Sequence, residues 1–198
     1  MSVPSIIRTN TADLYDVYYP DERVLFAADY LWVNRLCCNF AFDRRPITTW
    51  IASIKSLEAL DFDIVINSHW APGTKADLVR FREDLEALYY TREALEGMAA
   101  RLAAERMSDA SLAEIKSLLS SHSTQPELLS GEAYVQRSKD EDFHFAIIKA
   151  AACDRLARLL MDEVFYQLRF HRRKSSTQPG RAQAAFKEHQ TIVEALES

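Results

Sequence analysis

Glycine is scarce in this chain, with four residues in 198, and only Gly73 falls within residues 1–88, the first half as its texture divides it. Glycine supplies the backbone conformations that a Cβ forbids, so the first half is a poor candidate for a ligand-cradling loop. Cysteine is also sparse: there are three, two of them adjacent at Cys37 and Cys38, which makes no disulfide framework. No apolar run approaches the roughly 18 residues that a membrane span requires. The start, MSVPSIIRTNTADLYD, has neither the basic opening nor the apolar block of a secretory leader. A cytoplasmic protein without a membrane anchor is therefore expected. Cationic excess is missing too. The formal net charge is −5, whereas phosphate binding needs clustered Lys and Arg, so direct contact with nucleic acid is not expected. The one basic run, Arg169 to Lys174, reads as the cationic end of a helix. Internal repeats and low-complexity tracts are absent.

What is present is enough apolar material for a core, 48% of the chain, in two halves of different texture. In residues 1–88, Leu14 to Tyr19 and Arg23 to Ala28 read as strands separated by a turn at Pro20. Ile47 to Leu60 carries the helical period, with Trp50, Ile51, Ile54, Leu57 and Leu60 near one face. Phe62 to Ile66 reads as a further strand. Thr74 then caps a helix whose apolar face includes Leu78, Phe81, Leu85 and Leu88. Residues 89–198 read as helix throughout. The pattern predicts helices over Arg92 to Met107, after Ser108, from about Glu132 to Ala152, from about Asp154 to His171, and from Arg181 to Leu196. Ser120 to Gly131 reads as a polar connector, with His122 inside it. The expected fold class is α+β: an α/β half followed by an all-α antiparallel bundle.

Within the second half, Asp140 and His144 lie four residues apart in the stretch SKDEDFHFAIIKAAA, and a further imidazole, His189, recurs in the last helix. Residues at i and i+4 share a helix face at about 5–6 Å between Cβ atoms, so both side chains can hold one divalent cation. A carboxylate with neutral imidazoles suits zinc, nickel or manganese. By spacing alone the pair reads more readily as a surface aspartate followed by a core histidine.

From Arg92 onward the chain resembles the FCD effector-binding domain of GntR-type transcription regulators. The matching words are REALEGMAARLAAERMSDASLAEI, DEDFHFAIIKAAACDRLARLL and AAFKEHQTIVEALES, in family order. The resemblance implies an antiparallel helical bundle around a polar cavity, in which a divalent metal helps bind a small carboxylate or sugar-acid effector. It places the family's metal ligands on Asp140, His144 and His189, and puts its last histidine beyond Ser198, so the final helix is expected to be missing. Arg92 matches an arginine that can pair with the effector acid; a solvated arginine in a first helical turn fits the same position. Cys153 stands where the family has asparagine, a residue that tolerates left-handed geometry at a helix end. His171 reads as a helix-end cation.

Residues 10–88 resemble a C-terminal fragment of the metallo-β-lactamase superfamily, on the words NTADLYDVYYPDERVLFAADYL and LDFDIVINSHWAPGTKADLVRFREDL. That resemblance puts the family's metal-bridging aspartate on Asp29 and a ligand histidine on His69. Asn10 replaces another ligand, and nothing corresponds to the main His-x-His-x-Asp-His cluster. Asp29 and His69 are therefore expected to be relics, because two ligands of a binuclear set cannot fix a metal-bound hydroxide.

The expected function is a metal-assisted sensor of small carboxylates, the effector domain of a GntR-type regulator without its winged-helix DNA reader. It would act as a homodimer or on a full-length regulator. The alternative is a metallo-β-lactamase-fold hydrolase fragment, inactive alone unless a partner supplies the missing ligands. A fusion of fragments without evolved function, joined near Leu88 to Thr91, also fits.

Overall fold

A computed structural model describes residues 5–8, 15–27, 31, 33, 47–69, 71–136, 142–165 and 180–198. The chain divides into two compact units, Met1–Tyr89 and Tyr90–Ser198. It is α+β, with a small sheet in the first unit and helices in the second.

The sheet has five strands in chain order: β1 (Ser5–Arg8), β2 (Tyr15–Tyr19), β3 (Val24–Ala27), β4 (Ile64–Asn67) and β5 (Gly73–Thr74). All neighbours are antiparallel except β3 and β4. Parallel strands need a crossover, and helix α1 (Ile47–Glu58) lies between them in sequence. β1 was not foreseen. The turn between β2 and β3 closes with Arg23 in a left-handed conformation, φ 56°, and the Arg23 guanidinium grips Asp63 at 2.8 and 2.9 Å.

Directly paired residues share a face of the sheet. One face carries Leu25 and Val65 into a core with Ile54 and Leu57 of α1 and with Leu78, Phe81 and Leu85 of the following helix. Trp50, Ile51 and Leu60 pack partly buried against it, as the helical period predicts. On the opposite face, the row Ile6, Val17, Phe26 and Ile66 crosses four strands. Ile6 is 72% exposed, and Tyr15, Tyr19, Ile64 and Ile66 are exposed with it.

Helix α2 runs without interruption over Lys75–Arg106. Its start is the predicted one: the Thr74 amide donates to Asp77 Oδ2 at 2.8 Å and the Asp77 amide donates back to Thr74 Oγ1 at 3.3 Å. This reciprocal pair satisfies two amides that the helix itself cannot. The two helices expected here, one from Thr74 and one over Arg92 to Met107, are a single helix. No proline stands at 88–91, and ion pairs one turn apart, Arg82–Glu86 and Arg92–Glu96, lie on either side, so propagating one helix needs no new nucleus.

The second unit continues with α3 (Asp109–Ser123), α4 (Pro126–Leu129), α5 (Phe143–Ala150), α6 (Asp154–Arg158) passing into a π-helical stretch, Leu159–Val164, and α7 (Arg181–Glu197). Helix α3 packs on α5 and α7. Ser108 caps α3 as foreseen, accepting from the Ser111 amide. Two boundaries differ from expectation. The connector at Ser120 to Gly131 is largely helical. The long helix from Glu132 is not formed at that end, because α5 begins only after its cap, Asp142.

Candidate functional site

Asp142 fixes the entry of α5 by accepting from the amides of His144, at 2.9 Å, and Phe145, at 3.4 Å. Phe143 and His144 thus leave the first turn in set directions. Phe143 is fully buried and stacks on the His189 ring of α7, with centroids 4.1 Å apart at 16°. The His144 and His189 rings meet edge to face, 5.1 Å between centroids. Two histidines from different helices, α5 and α7, are brought side by side.

Each has a protein partner on Nδ1. His144 Nδ1 lies 3.1 Å from Glu96 Oε1 on α2, and the other Glu96 oxygen accepts from Arg92 Nε at 3.0 Å. Burial pushes the Glu96 carboxyl up, but the hydrogen bond and charge of His144, with those of Arg92, outweigh it and hold the group below its ordinary value. His189, only 6% exposed, lies with Nδ1 3.0 Å from the Tyr134 hydroxyl. That hydroxyl also sits 2.9 Å from His122 Nδ1. Burial, and secondarily the charge of Asp142, push the Tyr134 phenol well above its ordinary value, so it stays protonated.

The residues singled out by sequence fare unequally. His144 and His189 come together. Arg92 is half-buried and turned onto Glu96, one helical turn away. Asp140 and Asp29 lie outside the described residues, as do Cys37, Cys38, Asn10 and His171. His69 is exposed, in the turn after β4, where its amide donates to Asn67 Oδ1 at 3.3 Å and Asn67 in turn donates to the Ala71 carbonyl.

Three residues of the cluster were missed. His122 is not in a polar loop: it lies in α3 at 1% exposure. The signal was its place on the stripe Ile115, Leu119, His122, at i, i+4 and i+7, masked by the serines around it. Glu96 was detectable only as an i+4 partner of Arg92. Tyr134, in irregular backbone, had no periodic signal at all.

Among the described residues, no three His, Cys, Asp or Glu side chains are arranged to hold a metal ion, and no helix is long and apolar enough to cross a membrane. Compared with known protein families, residues 80–198 match the FCD domain. The match begins within α2. No curated protein matches the chain.

Proposed function

This chain belongs to the FCD domain family, and from that premise we propose that it senses a small carboxylate effector through a divalent cation held by Asp140, His144 and His189. FCD domains are the effector-binding domains typical of GntR-family regulators, and they are regulatory, not catalytic. The observation that carries the reading is the 5.1 Å approach of the His144 and His189 rings, one on α5 and the other on α7.

The donor set suits the group. Metal-ligating histidines characteristically direct their second ring nitrogen at a carboxylate or another protein acceptor, which fixes ring orientation. Here Glu96 and Tyr134 face the two Nδ1 atoms, so a cation would be held through Nε2. The third ligand falls to Asp140. Zinc, nickel or manganese fits a carboxylate with two imidazoles; when bound it would supply a fixed positive charge for the effector's acid. Arg92 would add a second positive contact by exchanging its Glu96 partner for the effector. The consequence would be read by a second copy of the chain or by a full-length regulator, not by direct contact with DNA.

Metal analysis of the purified chain tests this, repeated with Asp140→Ala and His189→Ala. Both substitutions should lower metal content and abolish thermal stabilisation by a carboxylate panel. Unchanged metal content in both would remove the proposal.

The parallel β3–β4 pair with α1 between its strands favours a second, lesser reading of the first unit as a metallo-β-lactamase-like remnant. His69 alone among its relic ligands is described, and it is exposed. The lone chain should not hydrolyse thioester, lactone or β-lactam substrates; turnover lost on Asp29→Ala or His69→Ala would restore the enzyme reading.

A further inference from the structure

Beside the two histidines assigned to the cation lie an imidazole and a phenol without a task. His122 and Tyr134 are buried, and the Tyr134 hydroxyl is 2.9 Å from His122 Nδ1 and 3.0 Å from His189 Nδ1. A hydroxyl has one proton to donate. A neutral imidazole carries its proton on one nitrogen and a lone pair on the other. With one O–H between two Nδ1 atoms, one ring accepts from the phenol while the other donates to it.

We infer that His122, acting through the Tyr134 hydroxyl, sets the tautomer of His189 and so presents the His189 Nε2 lone pair to a divalent cation. This rests on the metal reading above. The bonds run from His189 Nδ1–H to the Tyr134 oxygen, and from Tyr134 O–H to His122 Nδ1, leaving the His122 proton on Nε2. The reverse order puts the His189 proton on Nε2, where it blocks ligation. Phe143 stacked on the ring fixes the plane of His189, so the tautomer is the remaining variable. The phenol suits this duty because burial, with the charge of Asp142, keeps its proton in place. His122 and Tyr134 are positioning residues: they act on the cation only through His189.

The test uses the full chain with 15N-labelled histidine, reading ring nitrogens by long-range 1H–15N correlation before and during titration with Zn2+. His189 should show protonated Nδ1 and His122 protonated Nε2. Tyr134→Phe keeps the ring and its edge contact with Phe186, at 5.8 Å, but removes both bonds. In that variant His189 should become a tautomer mixture, and the Zn2+ Kd should rise about 10- to 100-fold. In His122→Phe the hydroxyl has lost its acceptor and turns to donate to His189. His189 should then switch to protonated Nε2, with at least as large a loss of Zn2+ affinity. A merely structural role would not move the tautomer in that direction. Finding the same Nδ1 state in both rings, finding the reverse order, or finding His189 unaltered by Tyr134→Phe would overturn the inference. Opposed tautomers in a wild-type chain that takes up no Zn2+ would instead overturn the metal reading while the coupling of the two rings stands.

Discussion

Cys153 occupies the N-cap of α6 in extended geometry, φ −134° and ψ 92°, and its side chain makes no cap bond. The asparagine expected at this position owes its advantage to capping. The left-handed residue is the one before it, Ala152, at φ 48°, where α5 ends. Cys153→Asn should therefore stabilise the chain by about 1 kcal/mol, seen as a higher midpoint in thermal or urea unfolding; no gain would show that the cap is not limiting. Glu96 makes a pH prediction. Its folded carboxyl lies below the ordinary value of 4.5. A depressed carboxylate adds stability above its unfolded value and loses it as pH falls through the lower, folded one. Glu96→Gln should cost roughly 1–3 kcal/mol at neutral pH and make acid unfolding below pH 4.5 shallower. Parallel pH slopes for the two proteins between pH 7 and 3 would refute the assignment.

Elements were legible where one periodic stripe met a clear end signal. The stripe of α1, the Thr74 start of α2, the Ser108 start of α3 and the span of α7 all followed from apolar spacing and capping chemistry. Boundaries failed where polar residues lay on an exposed helical face. Ser121 and Ser123 donate to the carbonyls of Leu118 and Ser120, and the serine-rich run reads as a loop although α3 continues through it. The helix start expected at Glu132 failed in the other direction: residues 132–136 are not helical, and Asp142 spends its carboxylate on starting α5. The π-helical stretch Leu159–Val164 leaves no periodic trace in six residues. Of the candidate site, the histidines 144 and 189 were singled out through the family resemblance rather than by spacing alone; Tyr134 and Glu96 depend on tertiary contact that no local pattern encodes. The cap of α2 is a direct test of this local chemistry. Thr74→Ala removes the Oγ1 that accepts from the Asp77 amide, while the residue 74 amide can still donate to Asp77, and should cost about 0.5–2 kcal/mol. Amide hydrogen exchange should quicken in the first turn, at 75–78, well before it does near Ala99; uniform exchange would indicate that the cap is dispensable.

Among the described residues of the first unit, one face of the sheet carries several exposed apolar side chains. Across the outer side of the sheet, Ile6, Val17, Phe26 and Ile66 make one row, with Tyr19, Val24 and Ile64 alongside. Contiguous apolar area of this kind favours association. The double change Ile64→Thr with Ile66→Thr keeps β-branched side chains and should lower concentration-dependent association in sedimentation velocity without lowering helix content. Unaltered association would assign it to another surface. The continuity of α2 bears on dissection of the chain. A fragment started at Tyr90 would open in mid-helix, without the Thr74–Asp77 pair that receives the first amides in the intact chain. One started just ahead of Thr74 would carry its native stopper along, so the severable piece is longer than the contact boundary at 89/90 suggests.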